Sequence, residues 1–116
     1  FVLSGPMTGF GTVVGSATAV VTGTLSATGQ SVAGAGDVNA DGFDDLLVAS
    51  SGDVSLVFGP LVNPVNLVDA AATFNNGDYS LVTGAGDADG DGWLDLVIGT
   101  PSANSDQGSI QVISAQ

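Results

Sequence analysis

Residues 37–48 read Asp-Val-Asn-Ala-Asp-Gly-Phe-Asp-Asp-Leu-Leu-Val, and this segment sets the architecture of the whole chain. Residues 87–98 read Asp-Ala-Asp-Gly-Asp-Gly-Trp-Leu-Asp-Leu-Val-Ile, so the same pattern returns 50 residues later. Both copies begin with Asp or Asn at alternate positions, followed by Gly. Both end with three apolar residues that are typical of a β-strand. Self-similarity at a fixed spacing indicates a repeat architecture. The sequence therefore predicts two copies of one structural unit.

The repeat extends beyond these two segments. Residues 2–6 resemble residues 56–60, and residues 52–57 resemble residues 108–113. Short runs rich in Val, Ile, Leu and Thr, separated by Gly, Asn, Asp and Pro, predict about four strands per unit. The predicted strands are 17–25, 31–35, 45–49, 54–58, 66–74, 79–84, 95–99 and 109–114. Residues 65–73 could alternatively form a helical turn or two.

Four-stranded units at a spacing near fifty residues are typical of propeller blades. We therefore predict an all-β fold of tandem four-stranded antiparallel blades of the β-propeller type. Residues 7–60 are predicted to form the first blade and residues 61–116 the second. Residues 1–6 are predicted to be a stray strand that completes a neighbouring or preceding blade.

Calcium explains the crowding of acids in the two loops. Eight of the twelve acidic residues lie in them, and the chain has no Lys, Arg or His to balance their charge. Calcium binds six to eight oxygens, which alternate side chains of a tight loop can supply. In the first loop the predicted ligands are the side chains of Asp37, Asn39, Asp41 and Asp45 and the carbonyl of Phe43. In the second they are the side chains of Asp87, Asp89, Asp91 and Asp95 and the carbonyl of Trp93.

The loops allow two other interpretations. An EF-hand or dockerin loop requires an acid at its twelfth position and a helix after it. Val48 and Ile98 stand at those positions, and strand-like residues surround them. The loops could also be polar turns without a metal, but two matches in register favour two calcium sites. The predicted fold is thus blades with calcium-binding loops.

The charge composition excludes several functions. Every acid is Asp, and the formal net charge is −12. Without basic residues the chain cannot neutralise phosphates, so we expect no binding to nucleic acid. No apolar run reaches the roughly 20 residues of a membrane-spanning helix, so we expect no membrane insertion. With no His, Cys, Lys, Arg or Glu to act as base, nucleophile or clamp, we expect no enzymatic activity.

The sequence resembles FG-GAP repeats, the blades of integrin-α-type propellers. Both loops fit the family pattern Asp-x-Asp/Asn-x-Asp-Gly-x-x-Asp, and Phe58-Gly59-Pro60 fits the end of a blade. Residues 99–101 approach the family's Gly-Ala-Pro, whereas residues 49–51 depart from it, and Phe10-Gly11 lies too far before its loop. The resemblance implies calcium binding and packing of Phe43 and Trp93 between blades.

The sequence is compatible with two functions. A mean hydropathy of +0.44 with 10% charged residues leaves little polar surface for a lone chain of 11.2 kDa. We therefore expect neighbours, either copies of the chain or further blades of a longer one. The favoured role is a secreted, extracellular or cell-surface structural protein that self-assembles into a filament, surface layer or matrix. The alternative is part of an integrin-like propeller for cell adhesion, with a glycan or protein ligand.

Overall fold

Nine β-strands dominate the structure, a computed structural model that describes residue 2 and residues 18–75 and 80–114. The strands are β1 (Val21–Thr22), β2 (Ser31–Gly36), β3 (Asp45–Ala49), β4 (Asp53–Val57), β5 (Val65–Asn66), β6 (Ala72–Asn75), β7 (Leu81–Gly86), β8 (Asp95–Thr100) and β9 (Ser109–Ser114). A 3-10 helix, Leu67–Asp69, separates β5 from β6, and a one-turn α-helix, Ala103–Asp106, separates β8 from β9.

The strands form two antiparallel sheets and one short parallel ladder. The first sheet has the order β2-β3-β4-β6, and the second has the order β7-β8-β9. β1 pairs in parallel with β5. The two sheets share one register, because Ala33 lies opposite Leu47 in the first and Thr83 lies opposite Val97 in the second. The structure therefore repeats the same hairpin 50 residues later.

The all-β, antiparallel prediction is confirmed. Residues 45–49 and 109–114 form strands with the predicted bounds. The predicted strand 66–74 is instead interrupted by the 3-10 helix. The Asn66 side chain caps the first turn of this helix by accepting a hydrogen bond from the Val68 N–H. Of the strand predicted at 17–25, residues 18–25 are described, and among them the strand is reduced to β1, which ends before Gly23.

The predicted bounds of the two blades and of the stray strand are described only in part. The first sheet has four strands, but its fourth, β6, comes from the segment predicted for the second blade, and the second sheet has three strands within the described residues. Tandem four-stranded blades are therefore not confirmed. The predicted stray strand lies outside those residues except for Val2, which forms an antiparallel bridge with Ala19. The division into blades at residues 7–60 and 61–116 stays a prediction.

The main core lies between the two sheets. Alternate residues of the first sheet, Leu47, Ala49, Val54 and Leu56, form its front face. They pack against the back face of the second sheet, formed by Val82, Leu96 and Ile98. Because side chains alternate across a strand, each sheet has a second face pointing away from this core.

The sheets approach most closely where β7 crosses β2. A Cβ added to Gly84 would lie 2.9 Å from the carbonyl oxygen of Gly34 and 3.3 Å from the Cα of Ala35. A Cβ added to Gly36 would lie 2.6 Å from a Leu94 methyl carbon. Glycine at both positions thus permits near contact of the two units at the strands that carry the loops.

A smaller core covers the back face of the first sheet. Val48 and Val57 pack there with Leu67 of the 3-10 helix, and Val21 and Val65 of the parallel ladder lie against them. The 3-10 helix and the parallel ladder therefore hold part of this face. No helix in the described part of the chain is long and apolar enough to span a membrane.

Candidate metal centre

Each predicted metal loop connects the first two strands of a sheet. The first runs from β2 to β3 and the second from β7 to β8. In both, the register shifts just before the loop, between Gly34 and Gly36 and between Gly84 and Gly86. Such a bulge bends the strand and re-aims the residues that follow it. The same irregularity therefore precedes both loops.

Hydrogen bonds within the first loop hold its carboxylates inward. Asp37 accepts from the N–H groups of Asp41 (2.9 Å) and Gly42 (2.8 Å). Asp41 Oδ1 accepts from the Phe43 N–H at 2.9 Å, and its Oδ2 accepts from the Asn39 side-chain amide at 2.9 Å. Gly42 has a φ of 93°, which glycine adopts readily. The backbone N–H groups take the place of the missing basic side chains.

The second loop repeats most of these contacts, with changes at Asp87 and at Asp91 Oδ2. Asp87 accepts from Gly90 (2.7 Å) and Gly92 (3.0 Å), and Asp91 Oδ1 accepts from the Trp93 N–H (2.8 Å). Asp91 Oδ2, however, accepts from the hydroxyl of Ser114 on β9 at 3.1 Å. The second loop is thus tied directly to the last strand of its sheet.

The acid that closes each loop is the first residue of a strand and is buried. Asp45 Oδ2 accepts from the Val38 N–H and its Oδ1 from the Gly59 N–H, both at 2.9 Å. Asp95 Oδ2 accepts from the Ala88 N–H at 2.7 Å, but its Oδ1 has no hydrogen-bond partner. Asp95 is 0% exposed, so this lone oxygen is also cut off from solvent.

The buried Oδ1 of Asp95, which has no hydrogen-bond partner, favours a bound cation. Burying a charged group without a partner costs several kcal/mol, roughly, unless it binds a proton or a metal. Oxygens of Asp87, Asp89 and Asp95 lie within 4.8 Å of one another, the one such triad of acids among the residues described. Calcium–oxygen distances of about 2.3–2.6 Å place ligands on opposite sides of the ion about 5 Å apart. The second loop therefore fits calcium.

The carboxylates of the first loop are gathered less closely than those of the second. Its three predicted acidic ligands, Asp37, Asp41 and Asp45, form no triad within that distance, and Asp41 is held by the Asn39 amide. An amide can supply oxygen to calcium only if its NH2 group turns away, so Asn39 would have to rotate. The ten predicted ligands, including the carbonyls of Phe43 and Trp93, stay a prediction.

The side chains of Phe43 and Trp93 are 51% and 44% exposed, so the two described sheets do not bury them. Packing of these rings between blades stays a prediction. Their backbone N–H groups bind Asp41 and Asp91, which orients the loop and leaves the rings at its surface. Sequence reasoning also missed Gly59 and Ser114, which donate hydrogen bonds to the loop carboxylates. Gly59 is 14 residues from its acceptor Asp45, and Ser114 is 23 residues from its acceptor Asp91.

Comparison with known proteins agrees with this geometry. The FG-GAP repeat family matches residues 28–58 and 81–113, which together make up more than half of the chain. Each match spans the first three strands of a sheet and the loop between its first two. FG-GAP repeats commonly bind calcium, occur in integrin-alpha-like propellers and are typical of extracellular or surface proteins. No curated protein matches the sequence significantly. The chain belongs to the FG-GAP repeat family, with one repeat in each of its two antiparallel sheets.

Proposed function

We propose that this chain is a calcium-binding, non-enzymatic segment of an extracellular structural protein that self-assembles. Two observations carry the proposal for calcium: Asp95 has a buried, unpartnered Oδ1, and its carboxylate lies close to those of Asp87 and Asp89. The first loop supports a second site, because it matches the second in sequence and in most of its hydrogen bonds.

Bound calcium would supply the positive charge that the protein lacks. Two ions would change the formal net charge from −12 to −8 and relieve repulsion among carboxylates held close together. In each loop the side chains would hold the ion, and the backbone N–H groups would keep the carboxylates aimed inward. Extracellular calcium reaches concentrations that fill even weak sites, which suits a secreted or surface protein.

Calcium titration by calorimetry tests this proposal. The wild-type chain is expected to bind two ions. Asp91→Ala and Asp41→Ala are each expected to bind one, because each removes a predicted ligand from one loop. Asp69→Asn is the matched control, since it removes a carboxylate in the 3-10 helix, outside both loops. Binding of two ions by either Ala variant would refute the ligand assignment, and no binding by the wild type would refute the sites.

A cell-adhesion role is the second candidate, and the exposed rings of Phe43 and Trp93 favour it. Aromatic side chains that stay exposed beside a metal loop are suited to stacking on a glycan or a protein ligand. Double substitution of both rings by Ala should abolish cell or glycan binding while leaving calcium binding unchanged. Loss of calcium-dependent assembly in that variant, with no effect on adhesion, would favour the structural role instead.

A further inference from the structure

A single side chain, Leu94, joins the two metal loops. A Cβ added to Gly36 would lie 2.6 Å from a methyl carbon of Leu94, so this methyl group lies directly on the Gly36 backbone. Leu94 precedes Asp95, the acid that closes the second loop, and Gly36 precedes Asp37, the first acid of the first loop. The Leu94 side chain also packs against the main core. One contact therefore connects the end of the second loop with the start of the first.

This contact has no equivalent in the opposite direction. The residue equivalent to Leu94 in the first loop is Asp44, which is exposed. A Cβ added to Gly86, the equivalent of Gly36, would meet nothing within 4 Å among the residues described. The contact at Leu94 is thus specific to the junction between the two repeats and is not a feature that each repeat carries.

The two loops are not equally prepared for calcium. In the second loop, oxygens of Asp87, Asp89 and Asp95 lie within 4.8 Å of one another, and one oxygen of the buried acid has no partner. In the first loop, the Asn39 amide donates to Asp41 and would have to rotate before its oxygen could face an ion. The second loop therefore needs less rearrangement to bind calcium.

We propose that Leu94 is a positioning residue that couples the two sites, so that calcium in the second loop raises the calcium affinity of the first. This coupling rests on the calcium binding proposed above, and the second loop fills first. An ion bound by Asp95 removes the cost of burying its unpaired charge, which holds this residue and the adjoining Leu94 in place. Leu94 in turn restricts the backbone at Gly36, so Asp37 loses less conformational freedom when the first loop binds its own ion. By linkage, calcium in the first loop raises the affinity of the second by the same factor.

Charge alone predicts the opposite effect. The second loop carries four Asp carboxylates, and a bound calcium ion would change their formal charge from −4 to −2. A less negative second loop attracts calcium to the first loop less strongly, so electrostatics makes the two sites compete. Tighter binding by the first loop once the second is filled therefore requires a structural contact, and Leu94 provides one.

Calcium titration followed by NMR tests the coupling, because the amides of residues 38–43 report filling of the first loop and those of residues 88–93 filling of the second. The first loop of Asp91→Ala, whose second site is disabled, should bind calcium at least about 5-fold more weakly than the first loop of the wild type. Charge alone would make it bind more tightly, because an empty Asp91→Ala loop is more negative than a filled wild-type loop. Leu94→Ala should bind two ions, with its first loop weakened by a similar factor.

Two further variants separate coupling from a general loss of stability. Leu94→Met nearly conserves the volume of the side chain and should retain most of the first-loop affinity. Leu67→Ala removes a buried side chain from the smaller core, which is separate from the main core that Leu94 contacts. It should lower the stability of the protein without weakening calcium binding by the first loop.

Three results would overturn the coupling. They are equal calcium affinity of the first loop in the wild type and in Asp91→Ala, wild-type affinity of the first loop in Leu94→Ala, and an equal loss of that affinity in Leu67→Ala. Failure of the metal sites themselves gives a different result. Absence of calcium binding by the wild type would refute the sites and the coupling together, whereas two ions bound independently would refute the coupling and leave the sites standing.

Discussion

Gly84→Ala should destabilise the protein much more than Gly34→Ala, although the two glycines occupy equivalent positions. A Cβ at residue 84 would lie 2.9 Å from the Gly34 carbonyl oxygen, whereas a Cβ at residue 34 would meet nothing within 4 Å. Replacing Gly by Ala in a strand lowers the conformational entropy cost of folding by about 0.5–1 kcal/mol in both variants. This effect therefore cancels when the two variants are compared. The steric conflict remains and costs about 1–3 kcal/mol.

Urea denaturation of both variants, in saturating calcium, measures this difference. The free energy of unfolding of Gly84→Ala should fall about 1–3 kcal/mol below that of Gly34→Ala. For a chain of this length the melting temperatures should differ by about 4–12 °C. Equal stability of the two variants would refute the close approach of β7 to β2, and with it the packing of one repeat on the other.

Three further predictions concern the loops. Ala40 has a φ of 59° where the second loop has Gly90 at 82°, so Ala40→Gly should stabilise the protein and Gly90→Ala destabilise it, each by about 1 kcal/mol in denaturation experiments. Ser114→Ala removes the hydroxyl that donates to Asp91 and should lower stability by about 1 kcal/mol, with no change in calcium affinity at the first loop. Chelation of calcium should lower hydrogen-exchange protection of residues 46–48 and 96–98 together, and unchanged protection would contradict a calcium-stabilised hairpin.

Much of the fold could be predicted because it is encoded locally and twice. In both copies a segment with Asp or Asn at alternate positions is followed by an apolar run. This change marks the start of β3 at Asp45 and of β8 at Asp95. Agreement between the copies supports each assignment. The region between β4 and β6 has no described second copy, and there the 3-10 helix depends on a local cap by Asn66 that competes with strand formation.

The site was less predictable, because its distinguishing contacts are distant in sequence. The loops look equivalent, yet Asp45 Oδ1 accepts a hydrogen bond from Gly59 whereas Asp95 Oδ1 has no partner. That difference depends on how the third strand of each sheet ends. The exposure of Phe43 and Trp93 likewise depends on which surfaces reach the loops, which a residue pattern does not specify.

The turn after the second strand of each sheet differs in length between the repeats. Residues 50–52 join β3 to β4, whereas residues 101–108, including the one-turn helix, join β8 to β9. The strands on either side keep the same register despite the added residues. This turn is thus a natural insertion point, where a blade can acquire its own shape without rebuilding its sheet. It offers protein engineers a place for a tag or a binding peptide, and evolution a place to make similar blades distinguishable.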